Sequence, residues 1–166
     1  MPPEMKEKYP QSNAVGLKER VRIENGAFSI TPFYVPHNGT PNYAYLINCD
    51  EHRIAWLTDL EYCPYILKKQ KLTEVFCECN YQNNLVNKDL PQYTHKLRGH
   101  MSLDSCKSFI AANKTNALRT VILCHMGSET TIAEECLSEV QKVVGEGVKC
   151  VCAAAGETVE LSLYPF

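Results

Sequence analysis

Ala117–Cys124 constrains the fold of this chain more than any other stretch. It reads as a continuous apolar strand ending in Val121-Ile122-Leu123-Cys124. Helical patterns flank it on both sides. Before it, Leu103, Cys106, Phe109 and Ile110 recur at helical spacing behind Ser102, a good N-cap. After it, Ile132, Cys136, Leu137, Val140 and Val144 share one face. Thr131 and Glu134 are spaced as a capping box for this second helix, and Gly145 and Gly147 stop it. An apolar strand between two amphipathic helices implies a layered α/β (α+β) fold with helices packed on one face of a sheet.

The chain upstream of Ser102 is richer in strands. Val21–Glu24 and Phe28–Val35 read as a hairpin turning at Asn25-Gly26. Tyr43–Asn48 and Arg53–Thr58 form a second pair, joined through Cys49-Asp50-Glu51-His52. A short helix is expected over Pro64–Lys71, a strand over Thr73–Cys79, and a long polar loop from Asn80 to Arg98. Val148–Ala153 and Thr158–Leu163 are expected to close the chain as strands around Gly156. Residues 1–19 lack a consistent apolar period and read as a polar leader, with the domain itself running from 20 to 166.

With 166 residues, 45% hydrophobic and 22% charged, the chain is long enough for one domain with its own core. A formal net charge of −2 gives no global electrostatic case for nucleic acid. No stretch has the length of a membrane span, and the N-terminal residues contain no signal-peptide pattern. The nine cysteines are therefore expected to be reduced thiols in a cytoplasmic setting. Cys49, Cys77, Cys79, Cys124, Cys150 and Cys152 lie in apolar strands, where a free thiol behaves as a small hydrophobe. The pairs Cys77/Cys79 and Cys150/Cys152 lack the Cys-x-x-Cys spacing of zinc knuckles, which favours packing over a thiolate zinc site.

The candidate chemistry sits at strand ends. Phe28 to Pro36 leads to His37, Arg53 to Thr58 leads to Asp59, and Ala117 to Cys124 leads to His125. A strand fixes the backbone while the side chain at its end projects into a cleft. Two imidazoles and a carboxylate suit zinc, manganese or iron. His100, in Gly99-His100-Met101-Ser102, precedes a helix N-cap, where an imidazole can donate a proton to a leaving oxygen. His52 and His95 read as solvated.

The segments Pro36-His37-Asn38, Thr58-Asp59, Glu78-Cys79-Asn80, Gly99-His100-Met101-Ser102 and Leu123-Cys124-His125-Met126 resemble, in order and approximate spacing, those of metallo-β-lactamase-fold hydrolases. The branch they are most similar to is the exonuclease-like one related to RNase Z. The resemblance covers about residues 20 to 163 and implies the C-terminal portion of an αββα sandwich. It implies a metal-dependent hydrolase of phosphodiesterase or nuclease type, using two zinc or manganese ions and a phosphodiester or nucleic-acid substrate. Under it, His37, Asp59 and His125 are metal ligands, with Asp59 bridging the two ions. His100 assists at the scissile phosphate, and Glu78 and Asn80 line the pocket or orient ligands.

Three departures bear on this reading. The family's His-x-His-x-Asp-His motif, which brings four ligands, occurs nowhere in the sequence. Asn38 stands where the family has Asp, and Gly127 where it has Ser. Three ligands of about seven imply one metal or none in this chain alone. Half of a two-sheet sandwich also leaves an apolar sheet face open, which predicts a homo-oligomer or a partner chain. The competing expectation is a non-catalytic binding or regulatory domain that retains a relic half-site.

Overall fold

The computed structural model describes residues 1–11 and 13–162. One seven-stranded sheet holds the chain in sequence order: β1 (Ile23–Asn25), β2 (Phe28–Val35), β3 (Asn42–Cys49), β4 (His52–Leu57), β5 (Glu74–Glu78), β6 (Thr120–Cys124) and β7 (Lys149–Cys152). The first four strands pair antiparallel, β1–β2 and β3–β4 through two-residue turns and β2–β3 through the loop 36–41; Gly26 in the first turn has a φ of 60°, which suits glycine. From β4 onward every pairing is parallel. Helices α3 (Leu103–Asn113) and α4 (Ala133–Val144) lie between β5 and β6 and between β6 and β7, as parallel neighbours require of their crossovers. Ser102 caps α3 as expected, its side chain accepting from the Ser105 N–H at 3.0 Å.

The register sorts side chains onto two unlike faces. Ala44, Ala55, Leu57, Val75, Cys77, Val121 and Leu123 point to the helix side and belong, with Cys106, Phe109, Ile110, Cys136 and Val140, to one buried cluster. Tyr45, Trp56, Phe76, Ile122 and Val151 stand opposite one another across β3–β7 on the other face, with Ile47 and Ile54 beside them. Trp56 stacks on Phe76 at 4.6 Å and is 39% exposed; Tyr34 and Phe28 are exposed on the same side. This second face also carries large apolar side chains; Pro32, Tyr43 and Ile122 on it are buried, while Trp56 stays exposed.

Several local expectations differ from the structure. Over Pro64–Lys71 only a single 3-10 turn forms, Lys68–Gln70, ending on a left-handed Lys71. Leu67 is pinned instead by its N–H to the Asn113 side chain, so a tertiary contact replaces the helical ladder. The long polar loop contains a helix, α2 (Tyr93–Gly99), which starts two residues after Pro91. α4 begins at Ala133, and Thr131 donates to the Gly127 carbonyl at 2.8 Å, so no capping box forms. Thr158–Ser162 is not a strand, and Leu163 lies outside the described residues. The polar leader carries α1 (Pro3–Lys8), and Glu19 accepts hydrogen bonds from the Tyr34 N–H (3.4 Å) and the Tyr65 hydroxyl (3.3 Å).

Candidate metal centre

The carboxyl ends of β4, β5 and β6 meet at one edge of the sheet, the place where open parallel sheets collect ligands. Asp59 follows β4 and His125 follows β6, and both adopt left-handed backbone, with φ of 58° and 50°. Asp and His tolerate this region better than most residues. Asn42 on β3 steadies the first turn, its amide donating to the Thr58 carbonyl at 3.2 Å and the Asp59 carbonyl at 2.5 Å. His100 arrives from the other side, between α2 and α3.

Asp59, His100 and His125 offer ligand atoms that all lie within 4.8 Å of one another. Metal–ligand bonds of roughly 2 Å put two donors on one ion within about 4 Å. The observed spread therefore needs only small side-chain adjustment. One carboxylate and two imidazoles form a donor set that fits a divalent transition ion. No other group of three His, Cys, Asp or Glu side chains among the described residues is so placed.

Glu78, at the end of β5, is 0% exposed. Its Oε1 accepts from His100 Nδ1 at 2.7 Å and lies 3.2 Å from His125 Nδ1, while Oε2 accepts from the Leu60 N–H at 3.1 Å. This carboxylate holds the His100 ring by Nδ1 and leaves Nε2 toward the cleft. His125 also lies 3.5 Å from Asp59 Oδ1. Asn80 completes the backing, donating to the His125 carbonyl at 2.7 Å.

His37 lies beside this group and not within it. Its Nδ1 donates to the Gly99 carbonyl at 2.6 Å, and its ring centroid is 5.6 Å from that of His100. His95 stands at the same rim, exposed to solvent as expected. It sits 6.2 Å from His37 and 5.8 Å from His100 by ring centroid, with Nδ1 2.8 Å from the Asn38 amide nitrogen. Its signal was its place five residues before His100, which matters only once α2 is known to be a helix. His52 is only partly solvated, 26% exposed: its Nδ1 donates to the buried Glu74 carboxylate at 2.8 Å, at the far end of the sheet.

Lys96 of α2 lies behind Asn80. Its ammonium donates to Asn80 Oδ1 at 2.8 Å and to Thr130 Oγ1 at 2.9 Å. Partial burial holds Lys96 below the usual lysine range, opposed by the charges of Glu78 and Glu129. Gly127 belongs to this packing: a Cβ there would fall 2.5 Å from the Asn80 carbonyl oxygen and 2.3 Å from Thr130 Oγ1. The cysteines take no part in the donor group. Cys77, Cys79, Cys106 and Cys136 are buried in the core, and burial pushes the Cys136 thiol up to about 12. Cys124, at the edge of the site, is likewise pushed up to about 12, first by burial and then by Glu78.

No protein-family model and no curated protein matches the sequence. Solved structures do. The metallo-β-lactamase fold protein YhfI from Bacillus subtilis superposes with a TM-score of 0.68 at 15% identity, over 93% of this chain and 61% of that one. Zn(2+)-bound PqqB from Methylobacterium extorquens gives 0.64 at 13% identity, over 96% and 63%. A diphosphatase from the PhnP family gives 0.53 at 17% identity, over 89% and 49%. The chain thus spans about three fifths of the length of the first two, and no helix among its described residues is long and apolar enough to cross a membrane. A mixed α/β sheet with its metal-capable residues at the strand ends, superposing on these neighbours over nine tenths of its length, has the metallo-β-lactamase fold.

Proposed function

We propose that this chain is the part of a metal-dependent hydrolase that carries Asp59, His100 and His125, acting on phosphodiester substrates. The observation that supports this reading most is the convergence of those three donors within 4.8 Å at the carboxyl edge of the sheet, backed by the buried Glu78. Three protein ligands with an open position are the arrangement of catalytic zinc sites, whereas structural sites close with four. A divalent ion there, zinc or manganese, would polarise a phosphoryl oxygen and make a nucleophile available at neutral pH.

The chain's own residues have assignable parts. Glu78 fixes the tautomer and orientation of His100 and charge-balances His125. Asn80 orients the His125 backbone. His37, with Nδ1 committed to Gly99, keeps Nε2 for a ligand or for taking up a proton. His95 lines the rim, where an imidazole can pass a proton to a departing oxygen.

The phosphodiester assignment draws support from the resemblance of the Gly99-His100-Met101-Ser102 segment and from the fold shared with a PhnP-family diphosphatase. The apolar patch around Trp56 would take a second sheet, consistent with neighbours of which about two fifths of the length lies outside the match. Hydrolysis of bis-p-nitrophenyl phosphate in the presence of zinc or manganese tests the reading. Turnover that Asp59→Ala removes supports it. A metal-bound protein with no turnover in any metal would favour the non-catalytic binding domain instead.

A further inference from the structure

A cavity of about 160 Å³ opens beside the metal-capable group, between α2 and the turn after β6. Val86, Leu90 and Tyr93 give its lining an apolar part, and Lys96, Ser128, Glu129 and Thr130 a polar one. An ammonium has three N–H donors. Lys96 commits two, to Asn80 Oδ1 and Thr130 Oγ1, and no protein acceptor takes the third among the described residues. The carboxylates nearest to it are otherwise engaged or distant in effect. Glu78 is bonded to His100 and Leu60, and Glu129 is exposed at the rim, where solvent weakens its pull. A half-buried cation with a free donor, set in a cavity with a partly apolar lining, is suited to an anion carrying an organic group.

The position of the cavity gives that anion a use. The Asn80 side chain lies between the two places: its Oδ1 accepts from Lys96 and its Nδ2 donates to the carbonyl of His125. The Lys96 ammonium is thus one side chain away from a candidate metal ligand. Gly127 keeps this geometry tight, because any side chain there would push apart Asn80 and Thr130. We propose that the cavity is a substrate subsite that binds the phosphate group of a small organic phosphate through Lys96, with the organic part against Leu90 and Tyr93. Its role in turnover rests on the hydrolase reading; binding at Lys96 does not.

Titration of the metal-free chain with phenyl phosphate, followed by calorimetry and by amide resonances, tests the subsite. The expected result is millimolar or tighter binding, with shifts concentrated in residues 92–96 and 127–130. Lys96→Met should weaken it by at least about tenfold, and Lys96→Arg, which keeps the charge, should restore most of it. If Lys96→Met fails to fold, the resonance shifts and the Lys96→Arg affinity decide alone. Binding to Lys96→Met as tight as to the wild type, or the absence of any shift in those two segments, overturns the proposal. Benzoate binding as tightly as phenyl phosphate contradicts the phosphate assignment. The experiment uses no metal and reads no turnover, so an inactive chain that binds phosphate at Lys96 would fail the hydrolase reading alone.

Discussion

His100 Nδ1 stands 2.7 Å from Oε1 of Glu78, a carboxylate with no solvent exposure. The same oxygen lies 3.2 Å from His125, so one buried charge orients two candidate ligands. Carboxylates in this position raise ligand basicity, and their loss typically costs about 10–100-fold in metal affinity. Glu78→Gln should therefore weaken zinc binding by about that factor, as read by competition with a chromophoric chelator. An affinity equal to the wild type's would show that Glu78 only packs.

Gly127 tolerates no side chain, because a Cβ would meet the Asn80 carbonyl oxygen at 2.5 Å. The backbone on the other side is held by the Gly127 N–H donating to that same oxygen at 3.1 Å. Gly127→Ala should cost about 1–3 kcal/mol of stability, the range for overpacking. Chemical denaturation measures it, and an unchanged midpoint would contradict the close approach.

The four buried thiols, Cys77, Cys79, Cys106 and Cys136, should be inert in the native protein. Burial raises the Cys136 thiol to about 12, and the hydrogen bond with Cys106, followed by burial, raises Cys79, so neither ionises near pH 8, and a thiol reacts as its thiolate. A chromogenic disulfide reagent should miss these four when the protein is folded and find nine thiols when it is unfolded in denaturant. Zinc released by that reagent from folded protein would point instead to a thiolate site.

The patch of Trp56, Phe76, Tyr45 and Ile54 is a partly exposed apolar stretch of the sheet. Patches of this kind drive association in water. The isolated chain should sediment above its monomer mass of 18.8 kDa, and Trp56→Glu should shift it toward monomer. A monomeric wild type at high concentration would contradict this.

Much of this architecture is legible in the sequence, for identifiable reasons. Ala117–Cys124 and the face of Cys136 and Val140 have strong apolar periods, so β6 and α4 follow from pattern alone. Asn25-Gly26 carries its own turn chemistry. α2 does not, because its seven residues have little periodicity and hold their place through Lys96 and the histidine rim. The expected helix at Pro64–Lys71 failed for the converse reason: local propensity lost to a tertiary bond between Leu67 and Asn113. At the site, Asp59 and His125 announce themselves by following strands. The approach of His100 to them, the setting apart of His37 and the arrival of His95 depend on how α2 crosses the sheet edge. No spacing in the sequence encodes that crossing.

The central claim is that Asp59, His100 and His125 hold a divalent metal ion. Elemental analysis of protein purified without added metal, then equilibrated with zinc and dialysed, measures it most directly. The account predicts about one zinc per chain, reduced to background in both Asp59→Ala and His125→Ala while their circular dichroism stays that of the folded protein. Wild-type protein with no zinc above the buffer level, or zinc retained in full by both variants, would contradict it.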